Sequence, residues 1–196
     1  MHNDVIIIGA GGHSKVVSDI IVRSGDNVFG ILDDNPKLSH CIGTTDDCRK
    51  YLDKQFIIAI GNNAVRKKIV EKYPDLNFYT AIDPSAIVSG SAKIGAGTVV
   101  MPNAVINADS VIGAHVIVNT SSVVEHDCIV GDFVHISPRC VLCGTVKVGN
   151  ETWIGAGAVV KNNIDIAPKC MIGCGATVVK NIKESGVFVG IPARQV

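Results

Sequence analysis

The sequence predicts a chain of two unlike halves: an α/β unit built on a small parallel sheet, then a parallel β-helix with three flat sides. Two periodicities predict this. Over residues 1–80, short apolar runs alternate with segments whose apolar residues recur at helical spacing. From Ile82 the period becomes six, and each sixth residue is Ile, Val or Leu without insertion as far as Val178. A third observation is that Ala, Ser, Thr or Cys mostly stands two places before each of these aliphatic residues.

Element by element, Val5 to Ile8 reads as a first strand. Residues 14–25 follow as a helix, with Val16, Val17, Ile20 and Ile21 on one side and Gly25 as its stop. Val28 to Leu32 is a second strand that runs into Asp33-Asp34-Asn35-Pro36. Residues 45–52 suit a short helix with Thr45 or Asp46 as its cap. Phe56 to Ile60 is a third strand, and after Gly61 residues 62–73 form a charged helix on which Arg66, Lys67 and Lys68 read as a solvated face, with a phosphate contact as the alternative for Arg66. Strand–helix alternation gives a parallel sheet of Rossmann-like character, whose ligands bind beyond the carboxyl ends of the strands.

The six-residue repeat describes a parallel β-helix over residues 81–180, with 181–196 as a tail packed on it. Each six residues make one side, and three sides close a coil of 18 residues. The aliphatic residue fills the interior and the small one sits near a corner. Gly follows the aliphatic residue at 95, 113, 131, 149, 155 and 173, and is expected to supply the dihedrals of the turn. Cys128, Cys140 and Cys170 fall on small-residue positions and read as interior filler, and Cys143 lies outside that register.

Bulk properties narrow the function. The chain has 196 residues, 47% hydrophobic and 18% charged, with net charge +0. That balance points to neither nucleic acid nor an anionic membrane. Its apolar runs fall far short of the roughly 18 residues of a membrane span. The amino terminus reads as a strand, not a signal peptide. An odd count of 7 Cys without a CxxC pair reads as free thiols in a reducing cytoplasm. The Gly9-to-Ser14 stretch lacks the third Gly of a dinucleotide fingerprint, because Ser14 stands there. No metal is expected, since the spacings of His115, His126 and His135 place His126 on a different edge.

The polar triplet Glu125-His126-Asp127 interrupts an apolar stretch, yet Val124 and Val130 keep the interior register and Cys128 the small position. The triplet therefore occupies a turn. Coil arithmetic stacks Ala156 and Cys174 one above the other on one edge. His126 belongs to the next edge round, and His115 and His135 to another side. One chain does not easily bring His126 to the Ala156–Cys174 edge, whereas neighbouring edges of a trimer face each other.

Five stretches carry a resemblance across both halves: "GAGGH" (9–13), "LDD" (32–34), "AIGNNAVRKKI" (59–69), "NTSSVVEHDCIVGDFVHIS" (119–137) and "GVFVGIPAR" (186–194). With the hexapeptide repeat, the chain resembles the nucleotide-sugar acetyltransferases of the sialic acid O-acetyltransferase group. The resemblance implies a left-handed β-helix, although the general crossover rule gives the right hand, and a homotrimer with sites between subunits. It implies acetyl-CoA as co-substrate and a nucleotide-linked amino sugar as acceptor, with transfer to its 4-amino group. It assigns Gly11, Gly12, His13, Asp33, Asp34 and Gly61 to the nucleotide sugar. His126 matches the general base and Asp127 its acidic partner, while His135, Ala156 and Cys174 match acetyl-CoA contacts. A backbone N–H or His135 would meet the charge developing on the thioester oxygen. Glu125 is an alternative partner for His126. The bacillosamine-directed members carry Glu where this chain has Asp127, and Cys174 replaces a Gly. UDP is the expected nucleotide. GDP- or dTDP-linked acceptors, sialic acid O-acetylation and a non-catalytic sugar-nucleotide-sensing trimeric scaffold are the alternatives.

Overall fold

The structure, a computed structural model, describes residues 2–35, 38 and 40–196; Pro36, expected to close the loop after the second strand, lies outside them. The α/β unit contains β1 (Asp4–Ile8), α1 (Gly12–Arg23), β2 (Asn27–Leu32), a 3-10 helix (Thr45–Tyr51), β3 (Gln55–Ile58) and α2 (Asn63–Lys72). The strands are parallel in the order β2-β1-β3. Val5 to Ile8 of the central strand are buried, because both sides of the sheet are covered. Val5, Ile7 and Ile57 pack under Val17, Ile20 and Ile21 of α1. Ile6, Ile8, Phe56 and Ile58 pack with Cys48, Tyr73 and Leu76. The 3-10 helix is capped by Thr44, one residue before the expected cap, because the Asp47 carboxylate accepts the Thr44 N–H at 2.8 Å.

The second half is a parallel solenoid of two-residue strands from Ala81–Ile82 to Thr177–Val178. Each pairs with the strand one coil later: Ala81 with Val99, Ile117 with His135, Trp153 with Met171. Three sheets result. The first face runs through residues 81–82, 99–100, 117–118, 135–136, 153–154 and 171–172; the second begins at 87–88 and the third at 93–94. The interior positions from Val100 to Val178 are buried, as the six-residue count requires. The first, second and third edges are the corners that follow the faces of the same number.

The corner residues differ from the sequence expectation in two ways. Left-handed backbone falls at Asn103, Asp109, His115, Ser121, Asp127, Phe133, Arg139, Thr145 and Glu151, again at intervals of six but three places after the aliphatic residue. The glycines one place after it, such as Gly113 and Gly149, do not adopt it. A Cβ on Gly149 would lie 2.4 Å from Pro168 N and 2.7 Å from its Cα. These glycines therefore serve close approach between coils, not turn dihedrals. The small residues, for their part, also act as hydrogen-bonding struts. Thr98 Oγ1 donates to Gly113 O at 2.8 Å and accepts from Val116 N–H at 3.0 Å. Cys140 Sγ likewise donates to Gly155 O at 2.9 Å, so the thiol does more than fill space.

The repeat breaks at Glu184, but the coil does not. Ile182 bridges Ile166, and the strand Val187–Val189 pairs with Met171 and Ile172. Both pairings skip 16 residues instead of 18, by subtraction of the paired numbers (182 − 166, 187 − 171), so one shortened coil caps the solenoid. Among the described residues no helix is long and apolar enough to cross a membrane.

Gly149→Ala is expected to cost roughly 1–3 kcal/mol, the usual penalty of overpacking, because its new methyl would press on backbone. Lys169→Gly, at an exposed left-handed corner, should stay within about 1 kcal/mol of wild type, since relief of backbone strain offsets the added chain entropy. Chemical denaturation of both variants checks the contrast; the reverse order would contradict it.

Candidate active site

The second edge carries the acid–base pair. His126 is the second residue after Val124 and Asp127 the third, so Asp127 takes the left-handed corner position, at φ 59°. His126 Nδ1 lies 2.7 Å from Asp127 Oδ2. Glu125 is committed elsewhere: its Oε2 accepts from Asn107 Nδ2 at 2.9 Å. Asp127 is thus the hydrogen-bonded partner. The side chains of His126 and Asp127 are 60% and 55% exposed, open to a ligand. The Asp127 hydrogen bond raises the His126 pKa above the ordinary imidazole value, against a smaller desolvation effect. With Nδ1–H given to the carboxylate, Nε2 keeps its lone pair for an incoming proton.

One coil above, Gly144 stacks on His126. A Cβ there would lie 2.7 Å from both Cε1 and Nε2 of the imidazole. Absence of a side chain at 144 thus makes room for the ring. The 18-residue count places 144 over 126, so the sequence itself carries this signal.

The first edge carries Ala156 and Cys174, both exposed. Among the described residues their N–H groups donate to no acceptor in the chain, unlike the neighbouring Gly157 N–H, which donates to Pro138 O at 2.9 Å. Gly157 and Gly175 hold the left-handed positions of this edge, and the space beside them is open. An apolar groove of about 230 Å³ runs next to them, lined by Trp153, Gly155, Met171, Gly173 and Cys174.

The third edge meets the α/β unit. Arg66 is 1% exposed, so the expected solvated face is corrected at this residue. Its Nε donates to His115 O (3.1 Å), Nη1 to Ile60 O (3.1 Å) and Gly61 O (2.9 Å), and Nη2 to Asn63 Oδ1 (3.0 Å), Phe133 O (2.9 Å) and Val134 O (3.3 Å). Burial lowers its pKa to about 10, which leaves it charged at neutral pH. Lys67 pairs with Glu151 at 2.8 Å, and Lys68 stays exposed as expected. His115 stacks on Phe133 with centroids 5.2 Å apart and meets Phe78 edge-on, a structural role.

His135, on the first face, is 7% exposed. Its Nε2 faces Asn119 Nδ2 at 3.0 Å and its Nδ1 faces Gly61 O at 3.3 Å. An amide donor at Nε2 and a carbonyl at Nδ1 fix a neutral ring protonated on Nδ1. Both nitrogens are then occupied, so neither is free for an oxyanion. Burial first, and Arg66 second, lower His13, His115 and His135 to about 4.

At the carboxyl ends of the sheet, Gly9 needs its φ of +104°, and a Cβ there would meet Ile60 Cγ1 at 2.7 Å. Gly11 and Gly12 face open space. Among the described residues no side chain caps helix α1, and the first-turn N–H groups of Gly12 and His13 have no acceptor. Asp33 staples the loops together: Oδ2 accepts Ala10 N–H at 2.7 Å and Oδ1 accepts Asn35 N–H at 2.8 Å. Asp34 Oδ1 accepts Thr45 N–H at 2.8 Å, and its other oxygen has no partner among the described residues. The structure thus gathers Gly11, Gly12, His13, Asp33, Asp34 and Gly61 at the carboxyl ends of the sheet, and brings Gly61 to His135 of the solenoid. It does not bring His126 to Ala156 and Cys174 within one chain.

Known proteins bear this architecture out. Residues 4–73 match the PglD N-terminal domain family. A UDP-N-acetylbacillosamine N-acetyltransferase of Bacillus subtilis (strain 168) is 41% identical over 108 residues, covering 49% of this chain and 50% of that protein. The match thus spans about half the length of that curated relative. Over the whole chain, the acetyltransferase domain of PglB from Neisseria gonorrhoeae FA1090 is 36% identical with a TM-score of 0.94, covering 100% of both chains. A perosamine N-acetyltransferase variant from Caulobacter crescentus, solved with CoA and GDP-perosamine, is 35% identical with a TM-score of 0.94, covering 99% of this chain and 97% of that one. Fold and site define the class as hexapeptide-repeat acyltransferases. Within that class, the chain belongs to the sugar-nucleotide N-acetyltransferase family that carries the PglD N-terminal domain.

Gly144→Ala is expected to keep its fold, since the displaced atoms end a flexible side chain, but to lose roughly 10²-fold in kcat through misplacement of the imidazole. Glu125→Gln should retain activity. Parallel kinetics and melting of the two variants check this; an inactive Glu125→Gln would favour Glu125 over Asp127 as the partner of His126.

Proposed function

We propose that the protein transfers the acetyl group of acetyl-CoA directly to the 4-amino group of a UDP-linked 4-amino-4,6-dideoxy sugar, with His126 as general base. The observation that carries this reading is the exposed His126–Asp127 pair at 2.7 Å, on an edge where Gly144 leaves the ring room. The neutral amine attacks the thioester carbonyl and becomes cationic. His126 Nε2 takes its proton, and the Asp127 carboxylate stabilises the imidazolium that results. The thiolate of CoA leaves as the tetrahedral intermediate collapses. Because both His135 nitrogens are occupied, the developing oxyanion falls to a backbone N–H. That of Gly144, which has no acceptor among the described residues, stands beside the base.

The acetyl-CoA contacts are read at the first edge. The unpaired N–H groups of Ala156 and Cys174 suit the amide carbonyls of the pantetheine arm, and the Trp153–Met171 groove suits its apolar stretches. Contacts through the backbone also explain how Cys replaces Gly at 174. His135, buried against Trp153 with ring centroids 4.6 Å apart, supports the groove from behind and does not touch the ligand itself. In the α/β unit, the first-turn N–H groups of Gly12 and His13 suit a diphosphate, with Gly11 and Gly61 leaving room for it and Asp34 facing the nucleoside.

A trimer of left-handed solenoids completes the site. Five of the six outward positions of the second face, Ile87, Val105, Val123, Val141 and Val159, form an aliphatic ladder that ends at Thr177, with Ile87 66% exposed. This face lies between the Ala156–Cys174 edge and the His126 edge. Packing it around a threefold axis sets the first edge of one subunit against the second edge of its neighbour. A stable and active monomer would refute this arrangement.

A GDP-linked acceptor is the second reading, favoured by the whole-chain likeness to the enzyme solved with GDP-perosamine. Thiol release from acetyl-CoA against UDP-, dTDP- and GDP-4-amino sugars, with a sialic acid as control, decides between the readings. Turnover of the sialic acid alone would sink both. His126→Ala should fall about 10²–10⁴-fold in kcat with CoA binding intact. The acid limb of the wild-type rate profile should lie above the ~6.5 of an ordinary imidazole. The raised His126 pKa keeps the base protonated, and inactive, to higher pH. Asp127→Asn should move that limb down while lowering the plateau. An unmoved limb would exclude Asp127 as the partner in turnover.

A further inference from the structure

We propose that Arg66 is a positioning residue for the acetyl transfer: its buried guanidinium fixes the Gly61 loop against the third edge of the solenoid, and so sets where an acceptor held by the α/β unit lies relative to the transfer edges. This rests on the nucleotide-sugar reading above. The hydrogen bonds divide between the two units. Nη1 holds the carbonyls of Ile60 and Gly61, at the carboxyl end of β3 where the nucleotide is read. Nε and Nη2 hold the carbonyls of His115, Phe133 and Val134, in two successive coils. The guanidinium is planar, so the two sets are held at a fixed mutual angle.

The rest of the first turn of α2 extends this register to a third coil. Asn63 Nδ2 donates to Glu151 O at 3.0 Å and Thr152 O at 3.2 Å, and Lys67 pairs with Glu151 at 2.8 Å. His115, Phe133 and Glu151 are the left-handed corners of consecutive coils, one above another. The turn therefore reads the coil spacing directly. His135 adds a second tie from the solenoid to the same Gly61 carbonyl.

Adhesion alone does not call for this arrangement. Val17, Ile20, Tyr79, Ala81, Val99 and Met101 already pack the units together through apolar contact. Burying a cation among carbonyls, with no carboxylate among its acceptors, is costly, and apolar replacements of buried charges are often neutral or stabilising. What the fork adds over apolar packing is direction. The apolar contacts also imply that variants at Arg66 remain folded.

The test uses the full chain with Arg66→Lys and Arg66→Met, and Asn63→Ala as a milder disturbance of the same turn. The readouts are kcat/KM for the nucleotide amino sugar that wild type turns over, KM for acetyl-CoA, and melting temperature. Both Arg66 variants are expected to lose about 10- to 100-fold in kcat/KM for the acceptor, with KM for acetyl-CoA unchanged. Lys keeps the charge but not the fork, so it should not rescue. Asn63→Ala should shift in the same direction by less, and it carries the test with Arg66→Lys if Arg66→Met fails to fold. Wild-type acceptor kinetics in Arg66→Lys would overturn the proposal. So would an equal loss for acceptor and acetyl-CoA accompanied by a lower melting temperature. A wild-type protein that acetylates no nucleotide amino sugar would instead overturn the functional reading, and this proposal with it.

Discussion

The inter-coil hydrogen-bond ladder is the constraint on which the rest of the structure depends. Each coil donates to the one above along all three faces, for example Ile117 N–H to Val134 O and Val123 N–H to Cys140 O. That ladder fixes the repeat, so any residue's place on the prism follows from its number. Two further features serve it. The glycines after the aliphatic residues let backbones approach, and Ser, Thr and Cys at the corners bridge successive coils. Stacking also has a chemical consequence: Gly144 can make room for the His126 ring only because the ladder holds the two positions one above the other.

The same imidazole group is put to opposite uses. His13, His115 and His135 lie in or near the domain junction, where desolvation and the Arg66 charge hold them neutral. There His115 stacks on Phe133, and His135 accepts a hydrogen bond from Asn119. His126 lies on the exposed second edge beside a carboxylate, which favours its protonated form. Burial near a cation and exposure near an anion thus give one side-chain type opposite protonation preferences. The third edge carries the α/β unit, the second the His126–Asp127 pair, and the first Ala156 and Cys174.

Much of the fold was legible because both periodicities are physical. Alternating strands and helices gave the parallel sheet, and the aliphatic residue at every sixth place gave the solenoid interior through Val178. The Glu125-His126-Asp127 turn was legible as a turn for the same reason. Four things were not. Arg66 sits in a run of charged residues, and nothing local distinguishes a buried guanidinium from an exposed one; its acceptors are carbonyls, which every residue carries. Asn119 holds His135 from 16 residues away, off the stacking register. The last coil was missed because two deleted residues shift Ile182 and Phe188 out of the count. The role of the repeat glycines was misassigned because φ and close approach leave the same residue behind.

By itself the sequence determined the architecture and the motifs: a small parallel sheet, a solenoid of fixed period, and an acid–base triplet at one of its corners. A repeating interior admits few alternatives, since a slip by one residue would turn the aliphatic row outward. Only the tertiary structure decided which partner each polar side chain takes. It gave Asp127 to His126 and Asn107 to Glu125, closed both nitrogens of His135, and buried Arg66 between the two units. Those choices depend on angles between groups far apart in the chain, and hydrogen bonds are directional where hydrophobic burial is not.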